Sequence, residues 1–245
     1  MRRYSGANYA GLPVLLLLLA ATGCSKFDER DNAAEADPAI VTGLFAEGFG
    51  GGSAEGTVRP EERADAAGDD QDPRAGIPFE RSRSLTGRVE QATARDIGKL
   101  LSLRFALADP ADFLTSGKVR GVWERALSAR GYSGDTLAGA TALMFGVAWE
   151  LANGRTLSAA DNAAILRQVT TRLRGDPLER QNDEQRQIQA DLRLITAGLW
   201  LEEAYLREPY PDQMRELSDA VHRDMRKMTN NDMRVTNVTA QGFSD

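Results

Sequence analysis

The chain has 245 residues, is 42% hydrophobic and carries a net charge of −6, which is long enough to bury one sizeable core. Divided along the chain, that charge is +2 over residues 1–24, −9 over residues 25–80 and +1 over residues 81–245, so the C-terminal part offers no electrostatic basis for binding nucleic acid. A single cysteine, Cys24, and a single histidine, His222, exclude an intramolecular disulfide and any zinc site built from several Cys or His ligands.

Arg2 and Arg3 form a positive start, followed by an apolar run from Leu12 to Ala21. The run is shorter than the roughly 20 apolar residues a bilayer span needs, and it fits the hydrophobic region of a signal peptide. It ends in Ala21-Thr22-Gly23-Cys24. These residues resemble the lipobox of bacterial lipoproteins, with Ala21 standing where that family usually has leucine. The resemblance implies cleavage after residue 23, diacylglycerol on the Cys24 thiol and further acylation of the new N-terminus. Two or more acyl chains are what stable anchoring requires. Ala21-x-Gly23 also satisfies ordinary signal cleavage, which would leave Cys24 a free thiol. Ser25 follows the cysteine, and in the enterobacterial lipoproteins that this resembles, a residue other than Asp there implies the outer membrane.

Residues 24–80 are rich in Gly, Ala, Asp and Glu, a composition that predicts a disordered acidic tether with a reach on the order of 40 Å. Within it, Ile40-Val41-Thr42-Gly43-Leu44-Phe45 is an apolar island suited to docking on a partner or on the protein's own domain.

From residue 81 onward, helical periodicity predicts an all-α domain, an irregular antiparallel bundle of about five or six helices. A first helix is expected over 86–107, stopped by Asp109-Pro110. Val119, Val122, Trp123, Ala126 and Leu127 mark a second, closed by Arg130-Gly131. The stretch from Asp135 to Ala152 is apolar on nearly all sides and too short to span a membrane, so it should form the centre of the core. Gly139 and Gly146 would allow neighbouring helices to approach it. Ser158 and Asp161 form a capping-box pattern ahead of a helix closed by Gly175-Asp176-Pro177. Asn182 with Gln185 opens the longest helix, about 183–207, with Ile188, Leu192, Ile195, Leu199 and Leu206 on one face and Trp200 and Tyr205 beside them. Glu208-Pro209-Tyr210-Pro211 breaks the chain. Met214, Leu217, Val221, Met225 and Met228 then line a last helix at about 211–229, and the β-branched tail at 233–239 is expected to lie extended against the domain. From about Tyr132 to Phe243 the helix layout and the Gln241-Gly242-Phe243 ending are similar to a helical family of unknown function found in exported bacterial proteins, which implies no known activity.

Two places invite a catalytic reading. Ser218, Asp219 and His222 lie within one turn of a helix, a nucleophile–orienter–base combination that lacks an exposing turn and oxyanion donors. Glu150 lies near the end of the most buried helix, where a raised pKa would suit the general acid of a glycan hydrolase. In a structural role it would need a cationic partner such as Arg155. No P-loop, dinucleotide fingerprint, nucleophile elbow or HExxH occurs, so no cofactor and no metal is expected. The reading that follows is a lipid-anchored module of the cell envelope, facing the periplasm at the outer membrane and acting through a protein partner. The alternatives are an envelope glycan hydrolase using Glu150 and a carrier of apolar ligands.

Overall fold

Local capping signals divide the C-terminal part into helices. The structure, a computed structural model, describes residues 76–174 and 177–244. The expected signal peptide, Cys24, the apolar island and nearly all of the expected tether lie outside the described residues. Seven α-helices and a two-stranded hairpin make the described chain all-α in class. They are α1 (Arg83–Leu100), α2 (Pro110–Thr115), α3 (Lys118–Arg130), α4 (Leu137–Asn153), α5 (Ala159–Leu173), α6 (Asp183–Arg207) and α7 (Pro211–Thr229). A 3-10 turn, Pro177–Arg180, joins α5 to α6, and strands β1 (Asn237–Thr239) and β2 (Gly242–Ser244) close the chain.

Helix α4 is the centre. Thr136 caps it by accepting from the Gly139 N–H at 3.1 Å, and Gly154 ends it in the left-handed region at φ 60°. Every side chain from Leu137 to Trp149 is buried, as its all-round apolar sequence requires. Helices α3, α5, α6 and α7 surround it. The capping boxes at Ser158–Asp161 and Asn182–Gln185 are both formed, so α5 and α6 begin where their sequences say.

The first helix differs from expectation. It ends at Leu100, and Asp109-Pro110 starts a new short helix instead of stopping the old one. Asp109 accepts from the Asp112 N–H at 2.8 Å and Pro110 takes the first helical position, where its missing N–H costs nothing. Between the two helices the chain runs without helix or strand, with Leu101 and Leu103 buried. Buried carboxylates from the helices behind hold this strap. Glu203 on α6 accepts from the Ala106 and Leu107 N–H groups at 2.8 and 2.9 Å, and Arg207 stands 2.9 Å from it. Asp224 on α7 accepts from the Ser102 N–H and hydroxyl. The helix count is therefore one above the expected range, because the apolar residues of 101–107 read as helical face but pack as a strap.

Glycine also acts elsewhere than expected. A Cβ at Gly139 would sit 2.0 Å from the Ser133 carbonyl oxygen, and one at Gly146 would meet Leu157 at 3.3 Å. Both glycines make room for loops, not for helices. The close helix approach is at Gly198 of α6, where a Cβ would fall 2.8 Å from Val119 of α3.

The packed chain also starts before residue 81. Ile77 and Phe79 are each 7% exposed and belong to the core. The Gly76 and Ile77 carbonyls accept from the Ala138 and Leu137 N–H groups at 3.1 Å, satisfying two donors that the first turn of α4 cannot pair internally. Next to them Arg81 pairs with Asp135 at 2.8 Å and with buried Asp191. Its guanidinium lies 5.2 Å from the Phe79 ring centroid and 5.4 Å from that of Trp123.

Candidate functional site

Glu150 lies in the last turn of α4, where the helix macrodipole disfavours a negative charge by about 0.3–1 kcal/mol. Two donors offset that. Arg130 Nη2 is 2.6 Å from Glu150 Oε2, and the Leu157 N–H donates to Oε1 at 2.9 Å. Both charged side chains are only 14% exposed. Arg130 also donates to the Ala126 carbonyl at 3.2 Å, within its own last turn. Glu150 therefore ties the end of α3 to the loop that follows α4. Arg155, the partner expected from sequence, packs its guanidinium 5.5 Å from the Trp149 ring centroid instead.

Beside this pair is Tyr132, 7% exposed, whose hydroxyl donates to Asn162 at the backbone carbonyl, 2.8 Å away. Burial pushes its phenol well above the usual range, with Arg130 opposing and Glu150 adding to the rise. It is a neutral hydrogen-bond donor. Chemically, the cluster is a brace in which both Glu150 oxygens are engaged inside the protein.

Ser218, Asp219 and His222 are sent to different partners. Ser218 Oγ donates to the Ala152 carbonyl at 3.3 Å and accepts from Arg234 at 3.2 Å. Asp219 pairs with the same guanidinium, which lowers its carboxyl below the usual range. His222 Nδ1 faces Asp232 Oδ1 at 3.6 Å, beyond hydrogen-bond length. No serine–histidine contact forms. Among the described residues, no group of three or more His, Cys, Asp and Glu side chains could hold a metal ion. No helix among them is long and apolar enough to cross a membrane. One surface recess, about 260 Å³ and open to solvent, is lined by Glu80, Ser82, Leu85, Arg88, Glu184 and Gln187, a mostly polar set.

The surface feature that sequence reasoning missed is the corner between α6 and α7. Trp200 is fully buried, but Tyr205, which the periodicity also set beside the apolar face of α6, is 70% exposed, and Tyr210 is 54% exposed. With Val235 these are the exposed large hydrophobic side chains among the described residues. Neither phenol has a hydrogen-bond partner among the described residues. Tyr210 precedes Pro211, the first residue of α7, and its N–H closes the turn onto the Arg207 carbonyl at 2.8 Å. The signal available in the sequence was the Glu208-Pro209-Tyr210-Pro211 break, which places an aromatic residue on a turn with no core face to enter.

No family model, curated protein or solved structure matches this chain.

Proposed function

We propose that this chain is an exported lipoprotein, anchored through Cys24, whose helical domain works in the cell envelope by binding a protein partner. The anchor rests on the lipobox-like Ala21-Thr22-Gly23-Cys24 and the signal-like run before it. The binding role is carried by the tyrosine corner. Exposed tyrosines present large contact area at low entropic cost and are favoured at interfaces. The corner also lies far from the anchor side of the domain. Gln187 near the start of α6 holds Ser82, close to where the chain enters the fold, and Tyr205 is about 27 Å further along the same helix. A domain tethered at one end of α6 presents the tyrosines at the other. The outer membrane, seen from the periplasm, is the anchoring surface this reading assigns.

The test places a photo-crosslinking residue at position 205 or 210 of the full chain in its native envelope. The expected result is one discrete crosslinked protein, absent when the crosslinker stands at exposed Arg174, the residue that follows α5. Crosslinks to lipid alone, or none, would overturn the binding role. Mass spectrometry of the mature N-terminus checks the anchor, which fails if Cys24 is unmodified. Release of peptidoglycan fragments by the wild type and not by Glu150→Gln would replace the binding role with a catalytic one.

A further inference from the structure

The exposed side chains of α7 divide along its length. In the first half Arg215 pairs with Asp212, Asp219 pairs with Arg234, and Glu216 adds a further negative charge. In the second half stand Arg223, Arg226 and Lys227, all exposed. Spaced three and four apart, they share one face of the helix. That face turns away from the buried one, formed by Leu217, Ala220, Val221, Asp224 and Met225. Among the described residues, none of the three has a carboxylate partner. The acid that lies between them in sequence, Asp224, is 3% exposed and taken up by the Ser102 N–H and hydroxyl. Exposed Arg104 follows two residues along the strap from Ser102. Bases in a last turn favour the helix dipole, which accounts for Arg226 and Lys227. It does not account for Arg223, a turn earlier, or for Arg104 on the strap.

Pro211, next to Tyr210, begins α7, so residues 223–227 lie about 18–24 Å along the helix from the tyrosine corner. Cations closer together than the Debye length, about 8 Å at physiological salt, act jointly on an array of anions. A bilayer rich in anionic headgroups is such an array, and each Lys or Arg at its surface strengthens association by about fivefold. The chain between Cys24 and the fold is expected to reach on the order of 40 Å, so an anchored domain stays close to that surface. An acyl anchor joined to a basic patch holds where either alone is marginal.

We propose that Arg223, Arg226 and Lys227 seat the domain on anionic phospholipid headgroups of the membrane that carries the anchor. Repulsion of the acidic first half of α7 then tilts the tyrosine corner off the surface and leaves it free for a protein partner. This seat rests on the lipid-anchored reading, because three cations hold a domain only when the tether keeps it near the bilayer.

Fluorescence energy transfer tests the seat. The mature chain is coupled through its single cysteine, Cys24, to maleimide-bearing lipid in vesicles, with the native tryptophans as donors and dansyl headgroups as acceptors. Chemical coupling supplies the anchor, so the measurement is independent of how Cys24 is processed in the cell. Transfer should be at least about twofold higher in vesicles of phosphatidylglycerol and phosphatidylcholine in equal parts than in phosphatidylcholine alone. The excess should vanish in R223Q/R226Q/K227Q and persist in R223K/R226K, which keeps the charge. It should also persist in R83Q/R125Q/R180Q, which has the same net charge as the first variant but loses exposed arginines elsewhere. Equal transfer in the two vesicle types, or loss of the excess in both triple variants alike, would overturn the proposal. Failure of the anchor is read separately, as an unmodified Cys24 in the mass spectrum of the native protein.

Discussion

Asp224 shows most plainly how a single residue binds this fold to pH. Its burial raises the carboxyl above the usual range, and the bonds from Ser102 only partly oppose the rise. The folded state therefore holds the proton more tightly than the unfolded state. The contribution of Asp224 to stability is greatest below the ordinary carboxylate pKa of about 4 and declines as pH rises through the raised folded value. Asp224→Asn keeps an acceptor for the Ser102 N–H and removes the charge. Relative to wild type, it should gain stability as pH rises from about 4 toward neutrality and then level off, measured by urea unfolding across pH. Asp161 runs the other way, since the Ser158 hydroxyl lowers its carboxyl, so its support is present at neutral pH and fades as pH falls through the lowered value. At the Glu150 brace, Glu150→Gln should cost about 1–3 kcal/mol, because Arg130 loses its charged partner while mostly hidden from water. Arg130→Ala should cost more than Arg155→Ala, since the latter loses an aromatic contact of about 0.5–1 kcal/mol. Denaturant midpoints of the two variants check that order.

The elements whose signals are local were the ones legible in the sequence. The caps at Ser158 and Asn182, the left-handed glycines Gly131 and Gly154, and the wholly apolar run of α4 each act within a few residues, and each formed as its sequence implies. The Leu217, Val221 and Met225 stripe of α7 is buried in the same way. What depends on distant partners was not legible. The strap at 101–109 is set by Glu203 and Asp224, about a hundred residues away, and no periodicity announces that a carboxylate will turn inward. The same holds for α6, where Ile188 and Leu192 are only half-buried while Asp191 and Glu203 are buried, because the helix turns its polar clamps toward α1 and the strap. At the candidate site, the sequence pointed to Glu150 but to the wrong arginine, since the end of α3 reaches it across a turn of chain that spacing cannot foresee. The glycines provide the element-scale test. Gly139→Ala meets a fixed backbone oxygen at 2.0 Å, Gly198→Ala meets Val119 at 2.8 Å, and Gly146→Ala meets only a movable leucine tip at 3.3 Å. Thermal unfolding should rank them in that order, with about 1–3 kcal/mol lost at Gly198 and near-neutral behaviour at Gly146.

For the whole molecule, residues 76–80 decide what counts as the domain. Burying Ile77 and Phe79 stabilises by about 1.5–3 kcal/mol each, against roughly 1–3 kcal/mol for holding Ile77 at a positive φ. That φ is 56°, rare for a β-branched residue, and it turns the carbonyls of 76 and 77 onto the first turn of α4. A protein beginning at residue 81 should therefore be less stable than one beginning at residue 76 by roughly 2–4 kcal/mol, read from chemical denaturation. This junction also has a mechanical meaning. Tension arriving along the chain from its N-terminal side meets residues 76–79 first, and their few backbone bonds can open one after another, as a zip does. It next meets Arg81, bolted to Asp135 and Asp191 and seated between two aromatic rings. Under load, the domain should yield a short length of chain at low force and then hold. A pulling experiment through the N-terminus would record that as a small early step ahead of global rupture.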